Sequence, residues 1–181
     1  MTPDHRLRLQ TMLRSMLDVV IPAIDSDHRL AIDQAQIIAG NIRLLLDQCD
    51  KAYEYEMAEL REYGALLDAL VNQLHGGAET SRRVAQARDL LAACAPIRRL
   101  AIPAQGELAA MVRVLKESVD GMVRAAHADG TPASASAASR LVLAQAEGQI
   151  LRERVWFKQS GFELEPDRLP EWAALQKPLS A

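Results

Sequence analysis

At 181 residues the chain is long enough to bury a core without disulfides or metals. Apolar residues make up 49% and charged residues 25%, with a net charge of −3. That balance excludes a disordered polyelectrolyte and offers no basic surface for a nucleic-acid backbone. Aromatic residues are only 4%, while Ala and Leu dominate. Both lose little side-chain freedom on a helix, so the composition leans towards helix.

The first helix is expected to start at Thr2 or Asp4, with Pro3 tolerated in the first turn. Leu9, Leu13, Met16, Leu17, Val20 and Ile24 recur in steps of three and four and form its apolar face. Pro22 should kink or end it, because proline lacks a donor and clashes with the preceding turn. Asp25-Ser26-Asp27 then supplies oxygens to cap a second helix.

From about Asp27 to Leu74 there is no proline. The seam runs through Ala31, Ala35, Ile38, Ile42, Leu45 and Cys49, then Tyr53, Met57, Leu60, Gly64, Leu67, Val71 and Leu74. Two successive four-residue steps around Tyr53 form a stutter. The expectation is one long helix of roughly 70 Å, with a break near Asp50–Glu54 as the alternative. His75-Gly76-Gly77 ends it, with glycine free to take the left-handed cap.

A third helix is expected over Glu79–Ala93, with Val84, Ala87, Leu91 and Cys94 inward. Pro96 and Pro103 bracket an apolar connection, Ile97–Ile102. The fourth helix spans Ala104–Ala128, with Leu108, Met111, Leu115, Val119, Met122 and Ala126 on one face. Asp129-Gly130-Thr131-Pro132 stops it. Ala133–Ser139 reads as a loop or as the frayed start of a last helix that runs to Ser160 and is capped by Gly161. Phe162, Leu164 and Trp172 are the expected anchors of an irregular tail. No segment alternates with period two, so no strand is expected. The pattern describes an all-α fold, an up-and-down helical bundle of four to five helices built around one long helix. One domain covers 1–161, and the tail 162–181 packs on it.

The four histidines, His5, His28, His75 and His127, lack the Glu-x-x-His pairs of a di-iron bundle, and no His-x-x-x-His or Cys-x-x-Cys occurs. There is no glycine-rich phosphate loop and no Gly-x-Ser-x-Gly elbow. No metal, cofactor or catalytic residue is therefore expected. Cys49 and Cys94 sit in apolar patterns and read as buried thiols of a reducing, cytoplasmic protein. No apolar run reaches the ~18 residues of a membrane span. The amphipathic N-terminus does not read as a signal peptide.

One polar column stands out. Gln34, Asn41 and Gln48 repeat every seven residues, between the seam and a second apolar row of Leu30, Ile37 and Leu44. Asp33, Arg43, Asp47 and Asp50 fill a narrow strip on the other side. Such a half-helix is expected to be covered by neighbours or by a second subunit, with its amides partnered. Arg140, Glu147 and Arg154 on the last helix, also seven apart, form a matching row. The six residues are either an interhelical hydrogen-bonded seam or the lining of a ligand-binding cleft.

The segment Leu9–Leu46, with Val20-Ile21-Pro22-Ala23 and Ile38-Ala39-Gly40-Asn41-Ile42, resembles an uncharacterised bacterial helical domain. That domain accompanies aminoglycoside-phosphotransferase-like kinases and acyl-CoA dehydrogenases. In that family a histidine commonly sits six residues before the asparagine, where this chain has Ala35. The resemblance implies an accessory protein near acyl-CoA metabolism and carries over no catalytic residue. The function expected is thus a non-catalytic accessory or oligomerisation module, a homodimer or the companion of a partner enzyme. A small-molecule-binding bundle and a granule-coating protein of the phasin kind are the alternatives.

Overall fold

The computed structural model describes residues 4–99 and 105–175. It is all-α: among the described residues there is no strand, only an isolated bridge between Gly76 and Gly130. Helix α1 is His5–Ser15, followed by a π-helical segment Met16–Val20 and a short α2, Ile21–Ala23. Helices α3 (Arg29–Gln48), α4 (Ala52–Gln73), α5 (Ala78–Arg99), α6 (Gln105–Ala128) and α7 (Pro132–Trp156) follow. The chain continues through single turns at Lys158–Ser160 and Pro166–Arg168 to a short α8, Trp172–Leu175.

The chain divides into two compact units, Met1–Ala52 with Leu151–Ala181, and Tyr53–Ile150. The division falls inside the 1–161 stretch that reads in sequence as one domain.

In the first unit, Asp4 caps α1 by accepting from the Leu7 amide at 3.1 Å. Thr2, the other expected start, lies outside the described residues. Pro22 acts upstream of itself. It cannot donate to the carbonyl four residues back, and the preceding turn widens so that Ile21 N donates to Met16 O. The helix ends at Ala23, and the chain turns into α3. Asp25 Oδ1 accepts from the Asp27 amide at 3.0 Å, so it shapes the turn rather than capping α3, whose N-cap is His28. Arg6 at the start of α1 pairs with Asp50 just past the end of α3, so the two helices run antiparallel. Ala35, Ala39 and Ile42 are buried, and the two alanines are small enough to let helix backbones approach closely.

The long helix does not form. A turn at Cys49–Lys51 separates α3 from α4, close to the alternative break point. Lys51 N donates to Gln48 O, and the Lys51 ammonium reaches back to Asp47 at 2.8 Å. Cys49 is exposed there rather than buried, because the seam that would have covered it stops at the turn.

The second unit packs α4, α5, α6 and the first part of α7 around one core. Leu60, Leu67, Leu70, Leu74, Leu108 and Leu115 are each 2% exposed or less. Helix α5 runs past Pro96 to Arg99, where a stop at Ala93 was expected; a proline in the last turn removes only one helical donor. Residues 100–104 of the expected connection lie outside the described residues. Ala133–Ser139 is helical, because Pro132 fits the first turn and Thr131 Oγ1 accepts from the Ser134 amide at 3.2 Å.

The two loops at one end of this unit are locked together. Thr131 N donates to His75 O, and Gly77 N donates to Asp129 O. Gly76 is not left-handed as expected. A Cβ there would lie 2.5 Å from the Gly130 Cα, so the glycine serves close backbone approach instead. Among the described residues Gly161 is the one with positive φ, at 85°; it ends the single turn Lys158–Ser160, while α7 itself stops at Trp156 rather than at the expected Ser160.

Candidate functional site

The amide column of α3 is not buried. Gln34 and Asn41 are exposed and Gln48 is half-buried, its Nε2 donating to the Trp156 carbonyl at 3.1 Å. The apolar residues around them are exposed as well: Leu30 by 74%, Ile37 by 56%, Ile38 by 49% and Leu45 by 51%. The reason is geometric. Helix α3 buries one side within its unit, around Ala35, Ala39 and Ile42, and the second apolar row points elsewhere. A groove of about 620 Å³ opens between α1 and α3, lined by Leu7, Thr11, Met12, Ile38 and Ile42 among others.

The matching row on α7 is divided between the units. Arg154 lies in the first, where its guanidinium donates to both Glu163 carboxylate oxygens at 2.9 and 2.8 Å. That fork holds the Glu163 carboxyl at about 2, well below the ordinary glutamate range, with the Glu165 amide adding to the effect. Arg140 and Glu147 lie in the second unit and are exposed; Arg140 donates to Gln73 at 3.0 Å. The anchoring residues of the tail also differ from expectation. Phe162 and Leu164 stand out in water, while Leu169 is buried and Trp172 packs on Trp156 with ring centroids 5.3 Å apart. Trp172 holds because its ring finds a partner, whereas Phe162 and Leu164 flank the left-handed Gly161 turn and point off the unit.

Inside the second unit a polar network escaped notice in the sequence. Glu59, 7% exposed, accepts from the Lys116 ammonium at 2.6 Å. That ammonium also lies 5.0 Å from the centre of the Tyr63 ring. The Tyr63 hydroxyl donates to Gln149 Oε1 at 2.8 Å, and Gln145 Nε2 donates to the same atom at 3.2 Å. The signal was available: Glu59 sits between Ala58 and Leu60 on a core helix, four residues before Tyr63. The groups satisfy one another across α4, α6 and α7, which fixes helix register and calls for no ligand.

A carboxylate at the loop end does similar work. Asp129 accepts from the Glu79 and Thr80 amides at 2.8 and 3.0 Å and from the Thr80 hydroxyl at 2.5 Å. The Thr80 hydroxyl is the main cause that lowers its pKa, with both amides acting in the same direction. Asp129, just past the end of α6, thereby supplies the N-terminal cap that α5 lacks in its own sequence.

Among the described residues no group of three or more His, Cys, Asp or Glu side chains is placed to hold a metal ion. No helix among them is long and apolar enough to cross a membrane. No protein-family model, curated protein or solved structure matches the chain.

Proposed function

We propose that the chain is a non-catalytic helical accessory protein of the bacterial cytoplasm that acts by association, presenting the α1–α3 hairpin of its first unit to another protein surface. One observation carries this reading. Of the sixteen large apolar side chains that are exposed among the described residues, thirteen belong to the first unit and three to the second. Apolar surface gathered this way is costly in water and marks a surface made to be covered. The second unit keeps its apolar residues inside and serves as the stable body. The resemblance of Leu9–Leu46 to a domain found beside kinases and acyl-CoA dehydrogenases fits an accessory role near acyl-CoA metabolism. A ligand cleft has less support, since Gln34 and Asn41 face water rather than line an enclosed space.

A photoreactive amino acid placed at Ile38 in living cells tests the reading. It is expected to trap a protein adduct, whereas the same group at the exposed Glu117 of the second unit is not. Equal, background-level labelling at both positions would rule the association surface out.

A further inference from the structure

Helix α3 has two faces at 100° per residue. The first carries Ala35, Ala39 and Ile42 and is buried in the unit, where α1 and the π segment pack on α3. The second centres on Asn41; Gln34, Ile37, Ile38, Asn41 and Leu45 are exposed on it, while Leu44 and Gln48 are half-buried. Around Asn41 this second face repeats in chemical type in either chain direction. Three residues away lie Ile38 and Leu44, four away Ile37 and Leu45, and seven away Gln34 and Gln48. The symmetry belongs to this face alone. On the rest of the helix, Ala39 answers to Arg43 and Ala35 to Asp47.

A face that is palindromic about one residue is what two identical helices need to meet antiparallel. Across a two-fold axis, residue i meets j while j meets i. Resting on the reading of this unit as an association surface, we propose that its partner is a second copy of this chain, joined antiparallel along α3 with Asn41 on the two-fold axis.

The side-chain chemistry suits that arrangement. A primary amide is both donor and acceptor, so Asn41 and the partner's Asn41 can exchange two equivalent hydrogen bonds. Ile37 then meets the partner's Leu45, and both are more than half exposed in the single chain. Gln48 already donates to the Trp156 carbonyl, which leaves its own oxygen to accept from the partner's Gln34. The charged residues Asp33, Arg43 and Asp47 lie off this face, so like charges do not confront one another. A polar residue within an apolar helix seam also fixes register, since any slip strands the amide against hydrocarbon. Four large apolar side chains of α3, Leu30, Ile37, Ile38 and Leu45, are exposed by 49% or more on this side, which leaves apolar surface for a partner to cover.

The test uses the full chain in a Cys49→Ser background, which leaves the buried Cys94 as the remaining thiol. Light scattering at micromolar concentration should give twice the 19.9 kDa chain mass. Ile37→Cys and Leu45→Cys variants, mixed and mildly oxidised, should form a mixed disulfide dimer, and neither should crosslink efficiently alone. Efficient crosslinking of each variant with itself would mean parallel pairing and overturn the proposal. A second pair is independent of disulfide geometry: Ile37→Glu and Leu45→Lys should each be monomeric alone and dimerise when mixed at equal concentrations. Mixtures that stay monomeric overturn the antiparallel register. A monomeric parent chain overturns self-association altogether. In that case an Ile38 adduct with a different protein would keep the association surface and replace its occupant, while no adduct at Ile38 would remove both.

Discussion

Arg154 shows how a residue's role is settled by its nearest opposite charge. On sequence spacing it belongs to a row with Arg140 and Glu147. In the folded chain its guanidinium is spent on Glu163, nine residues ahead, across the turn that Gly161 makes possible. The two-pronged geometry matches the carboxylate and stabilises its charged form. Glu163 therefore keeps its charge down to about pH 2, below its unperturbed 4.5. A depressed carboxyl adds stability that is fully present above the unfolded value and is lost as pH falls towards the folded one. In a carbon-detected NMR titration the Glu163 carboxyl should show a midpoint near 2. Arg154→Ala should return it to the ordinary glutamate range; an unchanged midpoint in that variant would assign the shift to the Glu165 amide instead.

At the level of elements, the ends of the helices are held by side chains from elsewhere in the chain. The link between α4 and α5 has no local cap of its own. Ser134, 1% exposed and on α7, accepts from the His75 amide and donates to the His75 carbonyl, both at 2.8 Å. Removing that hydroxyl leaves the His75 amide unpaired, while the His75 carbonyl still accepts from the Thr131 amide. Ser134→Ala should cost about 1–3 kcal/mol in denaturant unfolding. A loss within error of zero would mean that water replaces the hydroxyl. The break between α3 and α4 has the same character. No proline or glycine lies at Cys49–Lys51. Instead the turn is held by Arg6 on Asp50, Lys51 on Asp47 and Gln48 on Trp156. The Lys51–Asp47 pair is local, but the Arg6 and Trp156 contacts join residues 44 and 108 positions apart, which no window along the sequence contains.

Across the whole molecule, the two units differ in how well they bury their apolar residues. The contiguous leucine-rich core lies wholly within Tyr53–Ile150. The first unit has only a few buried residues, among them Ala35, Ala39, Ile42, Val155 and Leu169. Local stability follows buried apolar contact. A fragment comprising Tyr53–Ile150 should therefore be helical by circular dichroism and melt cooperatively. The exchange of amide hydrogens in the full chain should be slower there than in α1 and α3. A fragment that melts without a transition would show that its core depends on the other unit.

The sequence by itself determined where most helices lie and which of their faces are apolar. Composition, three-four spacing, Pro132 and Gly161 act within a turn or two, so α6 could be read to within a residue and the core positions Leu108, Leu115 and Met122 could be named. The apolar second face of α3 and its amide column were equally legible. What covers that face was not, because periodicity reports that a face is apolar and says nothing of where its neighbours stand. The pairing of the buried Glu59 with Lys116, the cap that Asp129 lends to α5 and the bond between Arg154 and Glu163 were hidden for the same reason. Only the tertiary structure decided them, since a charge or an amide is satisfied by whatever donor the folded chain brings within about 3 Å, and sequence separation does not enter that condition.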